Sequence, residues 1–131
     1  MTILDYLWEN EYQMLIKTPD GEVTDFKITL DTSWEVFEKF INSEDAEGCL
    51  SKMIFKLKPI IVGWENLVEG EGDTVVTCTD ENKERILDMF WIMEQVIITY
   101  ATIMLQYCKV RGIEQDAKDF MKNLKETYNI N

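Results

Sequence analysis

Apolar and polar residues alternate with a period of two along two segments near the beginning of the chain. In YQMLIK (12–17) and in VTDFKITL (23–30), apolar residues occupy every second position. This period is typical of strands that bury one face. The segment TPDG (18–21) between them supplies the backbone conformations that a tight turn needs. The sequence therefore predicts an N-terminal β-hairpin over 12–30.

After the hairpin the hydrophobic period lengthens to that of a helix. Apolar residues recur three or four positions apart along 34–41 and again along 49–57. Pro59 follows the second of these segments, and its ring removes a hydrogen-bond donor and clashes with the preceding turn. The pattern therefore predicts two short helices, the second ending or kinking at Pro59.

A long apolar segment follows the acidic loop in the middle of the chain. Thr79 precedes Asp80 and Glu81, which is a typical helix start, and the sequence then stays mostly apolar to about Lys109. This predicts one long helix that is either continuous or bent near Phe90 and Trp91. A further amphipathic helix is predicted over 113–128, where apolar residues form a single face.

These patterns together predict a mainly helical α+β fold, in which an N-terminal β-hairpin is followed by a bundle of about four helices including one long apolar helix. The 131 residues, 46% of them hydrophobic, suffice for one domain over 1–131. Its parts are the β-hairpin (12–30), a helical body (32–110) that contains a Gly/acidic loop (63–79), and a C-terminal helix (113–128).

Charge and cysteine content narrow the class of protein. The formal net charge is −12, which argues against direct binding to nucleic acid, because phosphates require a basic surface. The three cysteines, Cys49, Cys78 and Cys108, are widely spaced and form no C-x-x-C pair, so they are interpreted as reduced thiols. The most apolar window contains Glu94, and nothing near residue 1 indicates a signal peptide, so we expect no membrane span and a cytoplasmic protein.

The residues that enzymes commonly use are scarce. The chain contains no histidine, which removes the commonest general base and metal ligand. The glycines at 63, 70 and 72 lack the strand-to-helix context and the Lys-Ser/Thr ending of a phosphate-binding loop. We therefore expect no enzymatic activity, no catalytic residue, no cofactor and no specific metal.

One acidic loop invites comparison with a calcium site. Glu69, Glu71 and Asp73 stand at alternate positions, and Asp80 lies eleven residues after Glu69. The sixth position of the loop, however, is Thr74 where a calcium loop needs Gly, and the last ligand is Asp80 where a bidentate Glu is needed. The segment is interpreted as a solvated turn.

The arrangement around this loop resembles that of a known family. The segment GWENLV (63–68), the acidic loop, TVVTCT (74–79) and DEN (80–82) follow one another. This is similar to the small tail assembly chaperones of long-tailed bacteriophages, in which a "V-x-G-W-(E/D)-G-(V/L)" segment precedes a "D-x-x-G-x-P-(V/L)-P-(F/C)-(S/T)-x-E-N" loop and a helix. Asn66 stands where the family often has Gly, and Thr74 and Thr77 replace prolines of the loop.

The resemblance implies a non-catalytic protein of the infected host's cytoplasm. Such chaperones keep the long tape measure protein soluble and help to recruit the tail tube protein. The motif residues Gly63 and Trp64 are interpreted as structural, with Gly allowing a close backbone approach and Trp filling the base of a hairpin.

The predicted long helix offers a surface for such a partner. Its polar residues form one narrow stripe and nearly every other position is apolar, so a small domain can hardly cover all of its sides. The stripe assigned to the core is Met93, Val96, Ile97 and Tyr100. The residues assigned to a partner, either the tape measure protein or another copy of the chain, are Ile98, Met104 and Leu105.

An alternative function fits the acidity of the chain. An acidic phage-encoded inhibitor could mimic DNA and block a nucleic-acid-binding enzyme of the host. Mimicry requires carboxylates at phosphate-like intervals along one surface, whereas here acids alternate with lysines, as they do along 116–126. The chaperone interpretation is therefore preferred.

Overall fold

The computed structural model describes residues 11–42, 50–111 and 122. The predicted C-terminal helix (113–128), apart from Lys122, lies outside these residues, as do the first ten residues and the predicted start of the second helix. Within the described ranges the chain forms four α-helices and five strands. In order these are β1 (Glu11–Lys17), β2 (Val23–Asp31), α1 (Trp34–Asn42), α2 (Leu50–Leu57), a 3₁₀ turn (Lys58–Ile60), β3 (Ile61–Glu65), β4 (Val68–Glu69), β5 (Thr74–Val75), α3 (Asp80–Leu87) and α4 (Phe90–Arg111).

The two strands of the predicted hairpin are present. β1 and β2 pair antiparallel, with Tyr12 opposite Leu30 and Met14 opposite Ile28. Gly21 has φ +89°, a conformation that a side chain rarely adopts, and its N–H donates to the carbonyl of Thr18 at 2.9 Å. The segment 18–21 therefore forms the tight turn that the sequence predicts between the two strands.

The predicted hairpin is joined by a third strand, which was not predicted from the sequence. β3 pairs antiparallel with β2, so that Leu30 faces Ile61 and Ile28 faces Trp64, and the sheet has the order β1-β2-β3. The apolar run of β-branched residues that follows the 3₁₀ turn suits a strand at least as well as a helix end. β2 thus becomes the central strand of a sheet, whereas the prediction left it at an edge.

The predicted architecture of a hairpin followed by a bundle of about four helices, one of them long and apolar, is wrong. Two antiparallel sheets are present among the described residues, one of three strands and one of two. The segment 32–110, predicted as a helical body, itself contributes β3, β4 and β5. The helices pack against a sheet because the inner face of β1-β2-β3 is apolar and must be covered.

The long helix predicted from 80 to about 109 is two helices, whose axes differ in direction by 99°, and the break lies just before the bend considered near Phe90 and Trp91. Thr79 does cap the first of them, since its hydroxyl oxygen accepts the N–H of Asn82 at 3.2 Å. The break at Asp88 and Met89 contains neither Pro nor Gly, so we attribute the bend between the two helices to tertiary packing. The bend lets Leu87 of α3 and Met93 of α4 both reach the core, where each is about 1% exposed.

The core lies between the inner face of the three-stranded sheet and the helices. Tyr100 of α4 is central to it, with its ring 6.1 Å from that of Phe37 and 5.4 Å from that of Phe40 on α1. Twenty buried hydrophobic residues of the described chain form one cluster: Met14, Ile16, Phe26, Ile28, Leu30, Phe37, Phe40, Met53, Leu57, Ile60, Ile61, Ile86, Leu87, Ile92, Met93, Val96, Ile97, Tyr100, Met104 and Cys108.

A side chain of α4 completes the outer edge of β1. The amide group of Gln95 accepts the backbone N–H of Lys17 at 2.8 Å and donates to its carbonyl at 2.9 Å, as a neighbouring strand would do. These two bonds join residues 78 positions apart in the sequence. They bring α4 to the end of the hairpin and satisfy one residue of an edge strand.

Replacing Gln95 by Ala should therefore lower stability although the contact is exposed. We expect a loss of about 1–2 kcal/mol, because the Gln95 amide loses its two hydrogen bonds with Lys17 and a third to the carbonyl of Trp91, while water can replace them in part. Urea unfolding followed by circular dichroism measures this change. Gln106→Ala, at an exposed position on the same helix, serves as the control and should change the midpoint little; equal losses in the two variants would contradict the assignment.

Among the described residues, no single helix combines the length and hydropathy expected of a membrane span. The bent pair formed by 80–87 and 90–106 has that length and hydropathy only when the two helices are counted together. Eight of the apolar residues of α4 from Ile92 onward are buried inside the protein, which is the ordinary environment of a core helix.

Candidate functional site

Trp64 links β3 to the residue that follows β5. Its indole Nε1–H donates to the carbonyl oxygen of Val76 at 2.7 Å, and its ring meets that of Phe26 edge-on at 6.0 Å. The Val76 N–H in turn donates to the carbonyl of Leu67 at 2.9 Å. The indole therefore clamps the base of the excursion that the chain makes between β3 and α3.

We call this excursion, residues 67–76, the arm. Its strands β4 and β5 pair antiparallel, with Val68 opposite Val75 and Glu69 opposite Thr74. A four-residue turn joins the strands, and the Asp73 N–H donates to the carbonyl of Gly70 at 3.3 Å. The segment predicted as a Gly/acidic loop over 63–79 is thus a short ribbon with a defined turn.

Asn66 sets the direction in which the chain enters the arm. Its φ is +65°, in the left-handed region that only Gly, Asn and Asp adopt readily. Its side-chain amide donates to the carbonyl of Asp25 on β2 at 3.0 Å. Asn or Gly can occupy this left-handed position with little strain.

The two faces of the arm have different environments. On one face the Glu69 carboxylate accepts from the guanidinium of Arg85 on α3 at 2.7 Å, which turns that face towards the helix. Neighbouring residues of a strand point to opposite faces, so Val68 and Val75 share the other face. They are 45% and 70% exposed. The outward face of the arm therefore presents two adjacent valines to solvent.

The arm is also acidic. Its ten residues include Glu69, Glu71 and Asp73 and no basic residue. Glu71 and Asp73 are exposed and form no ion pair with the rest of the described chain. The two valines consequently lie beside uncompensated negative charge.

The residues predicted to bind a partner occupy a different part of the molecule. Met104 is 1% exposed and belongs to the core cluster, while Ile98 and Leu105 are partly buried and pack against that cluster. The three residues therefore offer little accessible surface in this structure. Sequence periodicity could not distinguish them from core residues, because nearly every position of α4 outside its polar stripe is apolar.

The motif residues Gly63 and Trp64 lie in β3, where Gly63 faces Thr29 of β2. A Cβ atom at Gly63 would meet nothing within 4 Å, so no close backbone approach accounts for this glycine. Trp64, by contrast, occupies the base of the arm as described above. Val68 and Val75 were not predicted as site residues, since a strand of two residues has no detectable period.

The acidic loop, which was predicted to be a solvated turn, contains an ion pair that would compete with metal binding. Within the described residues, no three His, Cys, Asp or Glu side chains converge on a common point as metal ligands would. Glu69 is already paired with Arg85, which a cation would have to displace.

We expect millimolar calcium to leave the thermal midpoint unchanged. A ligand that binds only the native state raises this midpoint by mass action. Differential scanning calorimetry with and without calcium measures the shift, and magnesium at the same concentration controls for ionic strength. A saturable rise of several degrees with calcium alone would show that Glu69, Glu71 and Asp73 bind the ion.

Two potentially reactive side chains are held in their neutral forms. Burial raises the pKa of the Cys78 thiol, an effect that nearby Lys83 opposes and Asp80 reinforces. Burial, together with the negative charge of Asp31, also holds the pKa of the Tyr100 hydroxyl well above its usual range. Neither environment is that of an activated nucleophile or of an acid–base group working near neutral pH.

Comparison of the chain with models of known protein families, with curated proteins and with solved structures found no match in any of the three.

Proposed function

We propose that this protein is a non-catalytic tail assembly chaperone of a long-tailed bacteriophage. In this role it keeps the tape measure protein soluble in the host cytoplasm and aids assembly of the tail tube around it. The observation that carries the proposal is the arm: the segment whose sequence resembles the chaperone family is built as a braced ribbon with an exposed apolar face.

The details of the motif support this interpretation. Its Trp ties the base of the arm through the Val76 carbonyl, and Asn66, at a position where the family often has Gly, adopts a left-handed conformation. Both residues therefore have structural tasks that their types suit. A motif of this kind positions a loop and performs no chemistry.

The surface chemistry suits a protein that binds its client for a limited time. A chaperone needs exposed apolar groups for its client while the free protein stays soluble, and a net charge of −12 favours solubility. Small, scattered apolar contacts give modest affinity, which allows release. The partners in this proposal are the tape measure protein, the tail tube protein and another copy of the chain.

Co-expression with the tape measure protein encoded by the same genome tests the proposal. We expect the tape measure protein to remain in the supernatant after centrifugation and to co-purify with a tagged form of this chain. A small acidic protein of comparable net charge serves as the control and should not keep the client soluble. If the tape measure protein is equally insoluble with the chain and with the control, the proposal fails.

The same preparation can address the inhibitor alternative. A DNA mimic would bind a basic DNA-binding protein with an affinity that falls steeply as the salt concentration rises. The chaperone proposal predicts that such binding is no stronger than that of the acidic control protein. Tight, salt-sensitive binding specific to this chain would instead support the inhibitor.

A further inference from the structure

We propose that the outward face of the arm, centred on Val68 and Val75, binds a basic amphipathic helix of a partner protein. The identification of that partner as a chaperone client rests on the proposed function, whereas the chemistry of the surface does not. The inference combines the apolar face of the arm, its charge and its bracing.

The apolar component comes from two side chains that lie side by side. Val68 and Val75 are directly opposite each other across the ribbon, so their Cβ atoms are about 4.5–5.5 Å apart. Together they form a continuous apolar contact, although each strand is only two residues long. Such short strands offer too few backbone groups to recruit another strand, so the contact relies on side chains, which a helix with an apolar stripe can supply.

The charge of the arm selects the kind of helix. Glu71 and Asp73 are exposed and unpaired within the described chain, and exposed Glu65 precedes the arm. A second copy of the arm would bring like charges together, which disfavours self-association through this face. Lysine or arginine side chains flanking an apolar stripe would instead complement these carboxylates.

Two other exposed apolar side chains, Leu15 and Phe55, have a different charge environment. Leu15 on the outer face of the sheet lies opposite Lys27. Phe55 on α2 has the ammonium group of Lys58 at 5.1 Å from its ring centroid. Those surfaces carry positive charge beside the apolar group and do not attract a basic partner as the arm does.

Bracing of the arm reduces the entropic cost of binding. The Trp64 bond to Val76, the Val76 bond to Leu67 and the ion pair between Glu69 and Arg85 all hold the ribbon in place before a partner arrives. A preorganised surface loses less conformational freedom on association than a mobile loop.

A labelled synthetic peptide of 18 residues, with leucines at helical spacing on one face and lysines on the other, is a direct probe. Its binding to the full chain is measured by fluorescence anisotropy. The double variant Val68→Ser, Val75→Ser should raise Kd about tenfold, and Leu15→Ser, Val23→Ser is the control, with equal net charge and equally exposed positions. Circular dichroism and urea midpoints confirm that both variants are folded.

The electrostatic component has its own pair of variants. Glu71→Gln, Asp73→Asn removes two charges and keeps at position 73 a residue that tolerates the left-handed φ of +48° found there. This variant should weaken peptide binding at low salt and reduce the dependence of Kd on salt concentration. The matched control is Asp20→Asn, Glu22→Gln at the hairpin turn.

The inference is overturned if the valine variant binds the peptide as tightly as the unmodified chain, or if the control pair weakens binding as much. The arm variants are then tested for solubilisation of the tape measure protein. Loss of solubilisation only in the arm variants supports both proposals. Failure of the unmodified chain to hold that client refutes the chaperone function alone, because the peptide result stands by itself.

Discussion

Replacing Met104 by Glu is expected to unfold the domain. Met104 is 1% exposed in the middle of the core, so the new carboxylate would lose its hydration without gaining a partner. The cost of several kcal/mol is comparable to the whole stability of a domain this size, about 5–15 kcal/mol. Circular dichroism and thermal unfolding should show loss of the cooperative transition.

The same result is expected for Ile97→Glu, because Ile97 is 3% exposed in the same cluster. Met104→Leu conserves volume and should cost less than about 1.5 kcal/mol. Gln106→Glu places a carboxylate at an exposed position of the same helix and should leave the melting curve nearly unchanged. If Met104→Glu stays folded but no longer holds the proposed client, Met104 lies on a partner surface and its core placement is wrong.

Removing the Trp64 side chain is expected to release the arm. Trp64→Ala loses the bond to the Val76 carbonyl and the contact with Phe26, and should cost about 2–4 kcal/mol, below the upper range for Trp because the ring is only half-buried. Chemical denaturation measures the loss. Hydrogen exchange at the Val76 amide should accelerate, since its bond to Leu67 lies at the base of the arm.

Trp64→Phe separates the two contributions of this residue. The ring contact with Phe26 is retained and the indole N–H is lost, so we expect a cost of about 1 kcal/mol. Hydrogen exchange at the Val76 amide should be faster than in the unmodified protein and slower than in Trp64→Ala. A Trp64→Ala protein with unchanged exchange at Val76 would show that the indole does not hold the arm. In that case the arm would need another brace for peptide binding.

Part of this structure follows from local sequence. The hairpin strands appear where apolar residues alternate, and Gly21 takes the left-handed conformation that its turn requires. The cap at Thr79 is also local, since its hydroxyl needs only the N–H three residues ahead. For the candidate site, the sequence drew attention to the segment around Gly63 and Trp64 but not to the exposed valines that follow it.

The contacts that join distant segments could not be predicted in the same way. Gln95 belonged to a polar stripe on a helix, yet its amide completes the edge of β1 at Lys17. Likewise, Ile98, Met104 and Leu105 were assigned to a surface because the helix was expected to exceed what a small bundle could cover. In the structure Met104 is buried in the core instead, and Ile98 and Leu105 are partly buried against it.

The sequence by itself determined the hairpin and the acidic and histidine-free character of the chain, because these depend on residue type and on neighbours a few positions away. Tertiary structure alone decided that β3 pairs with β2, that the chain turns by 99° between α3 and α4, and that Val68 and Val75 face outward. The physical reason is that each of these depends on how the whole apolar surface is covered. An apolar residue carries no local mark of whether another part of the chain will reach it.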